Sequence, residues 1–394
     1  MESATRQIHR IIKIMLRWAA VLGCLWLGPV YALDTISVRS DVKGLPLGGY
    51  LEYFADESGE LTIDEVIEDK TIPWMRTLKI VPTFGFTTTP HWFTIQVNNE
   101  SPAQRNLILE VATSVLDNVE VYYVSYGTVV DAYQAGDKFR FSERPVDHRN
   151  FLFPLKLGPG EKVQVFLRVQ TTTSWQLPLS LWSEDSFYKH DEPYIYAHGL
   201  FYGIMLVAML FSLFIFISIR EKQYLFYALY VVFHTSFQAA AHGTTFQYLW
   251  PDAVWWHEKS IALFAGAAIV FSALFAIEFL SLRNSRHPNY YMFLKVVAII
   301  SGIVAIMTLF LPYATTIRLI IPLSLLMVGG CFFSGIVRAR EGDTAAQLYT
   351  AAWASFLLGI TMLTLNRVDI IPRNIFTENA MQVGAAIEVI LLLT

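Results

Sequence analysis

The sequence predicts two domains of opposite kind: an all-β extracytoplasmic sandwich followed by an all-α bundle of seven transmembrane helices. Three observations carry that expectation. Residues 33–190 hold 14 Lys/Arg and 21 Asp/Glu, whereas the longer stretch 191–394 holds only 11 of each. The first stretch alternates apolar and polar residues with the period-two pattern of half-buried strands. The second repeats apolar runs close to the ~20 residues that cross a hydrocarbon core. Over all 394 residues, 54% are hydrophobic and 16% charged, against roughly 25% charged in an ordinary soluble domain, which excludes a wholly water-soluble protein. The net charge of −4, with no basic patch, removes nucleic acid from the partners. Cys24 and Cys331 both lie outside the β stretch, so no internal disulfide staples it.

Export comes first in the chain. Arg6, Arg10, Lys13 and Arg17 precede an apolar run from Trp18 to Leu27, followed by Gly28-Pro29 and Val30-Tyr31-Ala32. This is the order of a secretory signal peptide, residues 1–32, with cleavage expected after Ala32. An uncleaved anchor is the alternative, but the run is shorter than the ~20 residues of a span. On either reading residues 33–190 lie outside the cytoplasm. Val21-Leu22-Gly23-Cys24 faintly resembles a lipoprotein box, yet apolar sequence continues past Cys24, which argues against lipidation.

Strands are expected at Trp92–Val97, Leu107–Val111, Val119–Val124 and Lys162–Val169. Turn chemistry separates them at Asn98-Asn99, Tyr126-Gly127 and Leu157-Gly158-Pro159-Gly160. An antiparallel sandwich of residues 33–190 fits. A short acidic helix is expected over Ile63–Glu68, capped by Thr62. Candidates for ligand contact are Trp74, Trp92, Trp175, Trp182, Arg140, Arg144, His148 and Arg149, since indole faces stack on flat apolar ligands and guanidinium groups grip carboxylates. A Trp in an alternating strand is more often core than platform, and Arg149 in Asp147-His148-Arg149-Asn150 can simply brace a loop.

Helices are expected at roughly 194–219, 224–241, 257–281, 290–311, 315–338, 344–365 and 375–394. With the β domain outside, Arg220, Lys222, Arg283, Arg286, Lys295, Arg338 and Arg340 fall inside, whereas Lys259, Arg318, Arg367 and Arg373 fall outside. That asymmetry agrees with the positive-inside rule. Polar residues within the bilayer are the candidates for a membrane switch. His234 and Gln238 share a face, Glu278 lies near the inner end of the third helix, Glu378 and Gln382 form another pair, and Glu388 lies deeper. His234, Glu278 and Glu388 could also be read as the centre of an intramembrane enzyme acting on a lipid. No compact ligand spacing supports a metal, and His257-Glu258 lacks the second His of a zinc motif. No catalytic residue and no cofactor is expected; the seventh helix has no lysine for a retinal Schiff base. A transporter would want broken helices in matching halves, and Pro312, Pro322 and Pro372 do not provide them.

Several stretches together resemble the bacterial seven-transmembrane receptors with diverse intracellular signalling modules, with the second extracellular sensor type of that family. In the β stretch these are Leu61–Val66, Phe84-Gly85-Phe86 before Trp92, Phe141-Ser142-Glu143-Arg144-Pro145, His148-Arg149-Asn150-Phe151 and Leu177–Ser183. In the helical stretch they are Gly199–Ile204, Tyr224–Tyr227, Phe246–Pro251 and Gly384–Leu392. The resemblance implies a jelly-roll-like sensor similar to carbohydrate-binding modules. It also implies a seven-helix relay into a cytoplasmic output, in relatives a diguanylate cyclase or a histidine kinase. No GGDEF, kinase or phosphatase signature stands in these residues, so the output is expected to be absent from this chain. The expected partners are membrane lipid, a periplasmic small molecule or glycan and a cytoplasmic signalling module, in a bacterial inner membrane. The outputs of relatives work as dimers, so a homodimer is compatible, though nothing in the residues fixes it.

Overall fold

Phe93, Ile95 and Val97 point to one face of a nine-residue strand and Trp92, Thr94 and Gln96 to the other, and both faces are largely buried. The architecture around that strand explains why. The structure, a computed structural model, describes residues 35–172, 174–367, 370–371 and 374–393; the expected signal peptide and Arg373 lie outside them. Its strands are β1 (Thr35–Val38), β2 (Lys43–Pro46), β3 (Glu52–Ala55), β4 (Met75–Arg76), β5 (Thr83–Phe86), β6 (His91–Asn99), β7 (Arg105–Val111), β8 (Asn118–Ser125), β9 (Thr128–Ala135), β10 (Phe151–Leu157), β11 (Lys162–Gln170), β12 (Ser174–Gln176) and β13 (Leu179–Ser183). One sheet runs β4-β3-β6-β11-β8-β9, a second runs β10-β7-β13-β2, and β12 pairs with β5. Alternate residues of both larger sheets, among them Phe93, Val121 and Val165 from the first and Leu109, Phe153 and Leu181 from the second, share one hydrophobic core.

Two features depart from the plain antiparallel expectation. Strand β1 joins β6 in parallel, Thr35 opposite Gln96 and Val38 opposite Asn99, along the edge whose other half pairs with β3. The outer face of the larger sheet carries a second core. Helix α1 (Ile63–Glu68) lies over it, and Val66, Ile63 and Ile67 pack with Phe54, Trp92 and Phe166. The expected cap is present as a reciprocal box: the Thr62 N–H donates to Glu65 Oε2 at 2.8 Å, and the Glu65 N–H donates to Thr62 Oγ1 at 3.5 Å. At the β8–β9 hairpin, Tyr126 and Gly127 both take positive φ, 51° and 79°, which turns the chain with the twist of its strands.

The helical region comprises α2 (Glu184–Ile219), α3 (Lys222–Ala241), α4 (Thr244–Tyr248), α5 (Val254–Phe279), α6 (Pro288–Met307), α7 (Tyr313–Arg340), α8 (Thr344–Arg367), α9 (Ile375–Glu378) and α10 (Ala380–Leu393). Helices therefore occupy each of the seven expected places. Five of them, α2, α5, α6, α7 and α8, are long and apolar enough to cross a membrane. Helix α3 falls short because His234, Thr235, Ser236 and Gln238 dilute its apolar run. The expected 375–394 helix is two pieces, since Asn379 leaves helical geometry at φ −104°, ψ 14° and α10 has only 14 residues. The break places Glu378 and Gln382 on separate helices, so the expected pair does not share one continuous face.

Helices α8 and α10 approach so closely that only glycine fits at their crossing. A Cβ on Gly359 would lie 2.4 Å from the Ala380 carbonyl oxygen, and one on Gly384 would lie 2.7 Å from the Ser355 carbonyl oxygen. Gly329, on α7, has open space around it. Gly359→Ala should therefore lower stability by about 1–3 kcal/mol through overpacking. Gly329→Ala should be neutral, or stabilising by up to about 1 kcal/mol from helix propensity. Thermal unfolding of the two variants in detergent separates these outcomes.

Candidate functional site at the junction of the two domains

Strand β13 passes directly into α2, with Ser183 at the helix N-cap and Glu184 and Asp185 in a first turn that favours negative charge. At 36 residues α2 is ~54 Å long, well beyond the ~30 Å of a hydrocarbon core. Its first turns accordingly run alongside the β domain. Phe187 is fully buried there against Trp182, and His190 stacks on the Trp182 indole at 4.4 Å. The indole Nε1 donates to Glu110 Oε2 at 2.8 Å, and Asn150 Nδ2 donates to Glu110 Oε1 at 2.8 Å. Burial pushes the Glu110 carboxyl above its ordinary range against the pull of those two bonds.

One turn further along α2 stands Asp191, 6% exposed. Arg149 grips it with Nη2 at 2.5 Å and Nη1 at 3.4 Å, and His148 Nε2 lies 3.2 Å away. His148 Nδ1 accepts the Asn150 backbone N–H at 3.1 Å, so the ring proton sits on Nε2 and is donated to Asp191. Behind this pair, Arg144 Nη1 donates to the carbonyls of His148 and Arg149, both at 2.9 Å. Its guanidinium lies over Phe141 at 4.4 Å, Phe151 at 4.5 Å and Phe246 at 5.8 Å, the last from α4. Desolvation pulls Arg144 down to about 10, which leaves it charged at neutral pH.

Around this centre the β domain touches the near ends of α3, α4, α5 and α7. Ser114 Oγ donates to the Ala241 carbonyl at 3.0 Å, the Phe141 N–H to the Pro251 carbonyl at 2.8 Å, and Gln247 Nε2 to Asp147 at 3.0 Å. Lys138 pairs with Glu258 of α5 at 2.8 Å, and the Arg318 guanidinium of α7 lies 4.8 Å from the Phe86 ring. Below Asp191, the Tyr194 hydroxyl donates to Glu378 at 3.3 Å, and His198 meets Asn379 at 3.1 Å. At the opposite helix ends, Arg338 Nε donates to the Leu280 carbonyl at 3.0 Å and pairs with Glu341 and Asp343.

The sequence-predicted site residues thus divide. Arg144, His148, Arg149 and Trp182 come together at the junction. Trp92 and Trp175 are 0% and 3% exposed and fill the two cores, the latter stacked on Phe84 at 4.6 Å, so their faces are occupied by the domain itself. Trp74 is half-buried against Phe54 at 4.9 Å, and Arg140 is exposed. In the bundle, His234, Gln238, Gln382 and Glu388 are buried, and Glu388 accepts the Tyr230 hydroxyl at 2.9 Å. Glu278 lies apart, paired with Arg283 at 3.6 Å near the far helix end, so His234, Glu278 and Glu388 do not assemble into a catalytic trio. Among the described residues no three His, Cys, Asp or Glu side chains are placed to hold a metal ion. Sequence reasoning missed Glu110, Asn150, Asp191, Lys138 and Glu258. Asp191 carried a signal, an Asp191-Glu192 pair just ahead of a long apolar run.

Arg149→Ala leaves Asp191 buried without its cation and should cost about 3–5 kcal/mol, whereas Arg140→Ala at the surface should cost within about 0.5 kcal/mol. Thermal unfolding of the full chain compares them. Glu110 is protonated more readily in the folded chain than in the unfolded one. Its contribution is complete below the ordinary value of 4.5 and fades as pH rises through the higher folded value. Glu110→Gln should therefore gain stability relative to the wild type as pH is raised, measured as a widening gap in unfolding temperature.

Residues 48–183 match the family domain described as 7TMR-DISM extracellular 2, and residues 194–394 match the family described as 7TM diverse intracellular signalling. No curated protein matches the chain. The ten residues between the two matches, 184–193, are the projecting start of α2 that carries Asp191. The second match covers just over half of the sequence, and the chain accordingly belongs to the seven-transmembrane receptors with diverse intracellular signalling modules, as a multi-pass membrane signalling protein with an extracellular N-terminal sensor domain.

Proposed function

We propose that the chain is a ligand-gated transmembrane relay of a bacterial inner membrane. All seven expected helices would cross the bilayer, and the β domain would be a jelly-roll-like sandwich in the periplasm. The observation that carries this reading is the Arg149–Asp191 pair, which ties the sensor loop 144–150 to α2 by buried, charge-assisted hydrogen bonds. The ligand seat would be the cleft lined by Asp117, Asn118, Lys138, Phe139, Gln170 and Thr171, whose hydroxyl, amide and aromatic groups suit a glycan or another hydroxylated small molecule. Lys138 belongs both to that cleft and to the ion pair with Glu258, so a ligand drawing on Lys138 would alter the hold on α5. The bundle would pass the shift to a cytoplasmic signalling module through its last helix. In relatives that module is a diguanylate cyclase or a histidine kinase, and a homodimer would suit such an output. A ligand can move this equilibrium by no more than its difference in affinity for the two states.

The test uses the full chain in lipid nanodiscs, titrated with soluble glycans and small carboxylates and followed by hydrogen exchange. Binding should protect segments 117–118 and 138–139 and change exchange in 184–198 and 374–393. Asp191→Asn should keep the first effect and lose the second. Binding that leaves 184–198 and 374–393 unchanged in the wild type would overturn the relay.

A further inference from the structure

Four polar side chains that the relay does not use lie deep in the helical region. His234, Gln238, Gln382 and Glu388 are between 0% and 5% exposed. Among the described residues each keeps a polar atom with no hydrogen-bond partner: Nε2 of His234, Gln238 and Gln382, and Oε1 of Glu388. Their placement is ordered. On α3, Tyr230, His234, Gln238 and His242 at its C-cap recur every four residues, so they share one face and rise a turn at a time from mid-helix to the sensor side. At the upper end the His242 ring lies 5.1 Å from His198, which meets Asn379, and Glu378 accepts from Tyr194. At the lower end the His234 ring lies 5.7 Å from Tyr230, whose hydroxyl reaches Glu388. Gln382 is buried in the first turn of α10, six residues ahead of Glu388.

We propose that Glu388 is a proton-binding site served from the extracellular side by this column. The packing of the last helix would then depend on external pH as well as on a sensor ligand. The titratable groups around Glu388 are Tyr227, Tyr230 and, beside Tyr230, His234 from α3, Cys331 from α7 and Tyr349 from α8. The charged groups of the column, Arg149, Asp191 and Glu378, are confined to its upper end. Among the described residues an ionised Glu388 has one hydroxyl donor and no counter-ion, so at rest the carboxyl holds its proton. On release, the Glu388 O–H bond breaks and the proton is taken by a bridging water, which passes it past Tyr230 to His234 Nε2. The proton leaves past Gln238 and His242 to bulk water, and uptake runs in reverse. The anion left behind is held only by Tyr230, which favours a repacking of α10 against α8.

The experiment uses the full chain, without any sensor ligand, oriented in phosphatidylglycerol-containing proteoliposomes whose inner and outer pH are set separately. The carboxylic C=O stretch is read by infrared spectroscopy and assigned by its loss in Glu388→Gln. Tyr230→Phe should move the band to higher frequency, which also assigns it if the Gln variant does not fold. The band should weaken as outer pH rises and ignore inner pH. His234→Phe should slow the response by roughly 100-fold, the lower end of what a positioned proton carrier contributes. A band that ignores outer pH throughout the range in which the protein stays folded, or that follows inner pH, overturns the proposal. A His234→Phe variant as fast as the wild type overturns the route. Because no ligand is present, none of these outcomes depends on the ligand reading.

Discussion

The arrangement of the molecule hangs on a carboxylate taken out of water. Asp191 sits on the part of α2 that projects beyond the bilayer, and it is tolerable there only because Arg149 neutralises it and His148 donates to it. Arg149 and His148 are in turn held by the backbone of their own loop, which Arg144 clasps from behind. Removing one charge would strand the other, so helix and loop behave as one body at that point. The surrounding contacts, from Ser114 to Lys138, are single hydrogen bonds or a half-buried ion pair, each weaker than the Arg149–Asp191 grip. The junction thus combines one stiff connection with several yielding ones, as a linkage that pivots requires.

Much of this was legible in the residues. Helix positions followed from apolar run length, and the Thr62 cap ahead of the acidic run Ile63–Glu68 announced α1. The fates of the tryptophans were not legible. A period-two strand says that one face is buried, but it cannot say that α1 folds back over the other face, as it does above Trp92. The role of Arg149 was half legible: its type suggested a carboxylate, but the carboxylate is in the same chain, 42 residues on. Nothing local connects two such positions. The break at Asn379 was hidden for a related reason, because the capping box at Asn374 opens a helix that runs for only four residues.

The helical region carries a different compromise. Close crossing of α8 and α10 through Gly359 and Gly384 gives tight backbone packing, the usual source of helix association where no water is available to drive it. His234 against α8 and Glu388 on α10 each keep a polar atom for which the described residues supply no partner. Rigid contacts thus stand beside poorly satisfied ones along the last helix.

The uninterrupted passage from β13 into α2 has a mechanical consequence. With no linker between strand and helix, any tilt of the sensor is delivered to a rod ~54 Å long, and a rotation of about 5° displaces its far end by ~5 Å, nearly one helical turn. Pro193 sits on that rod just where it leaves the β domain, and its ring deprives the Lys189 carbonyl of its helical partner. The lever therefore has a compliant joint at the membrane surface, and its gain is set by how stiffly that one turn resists bending.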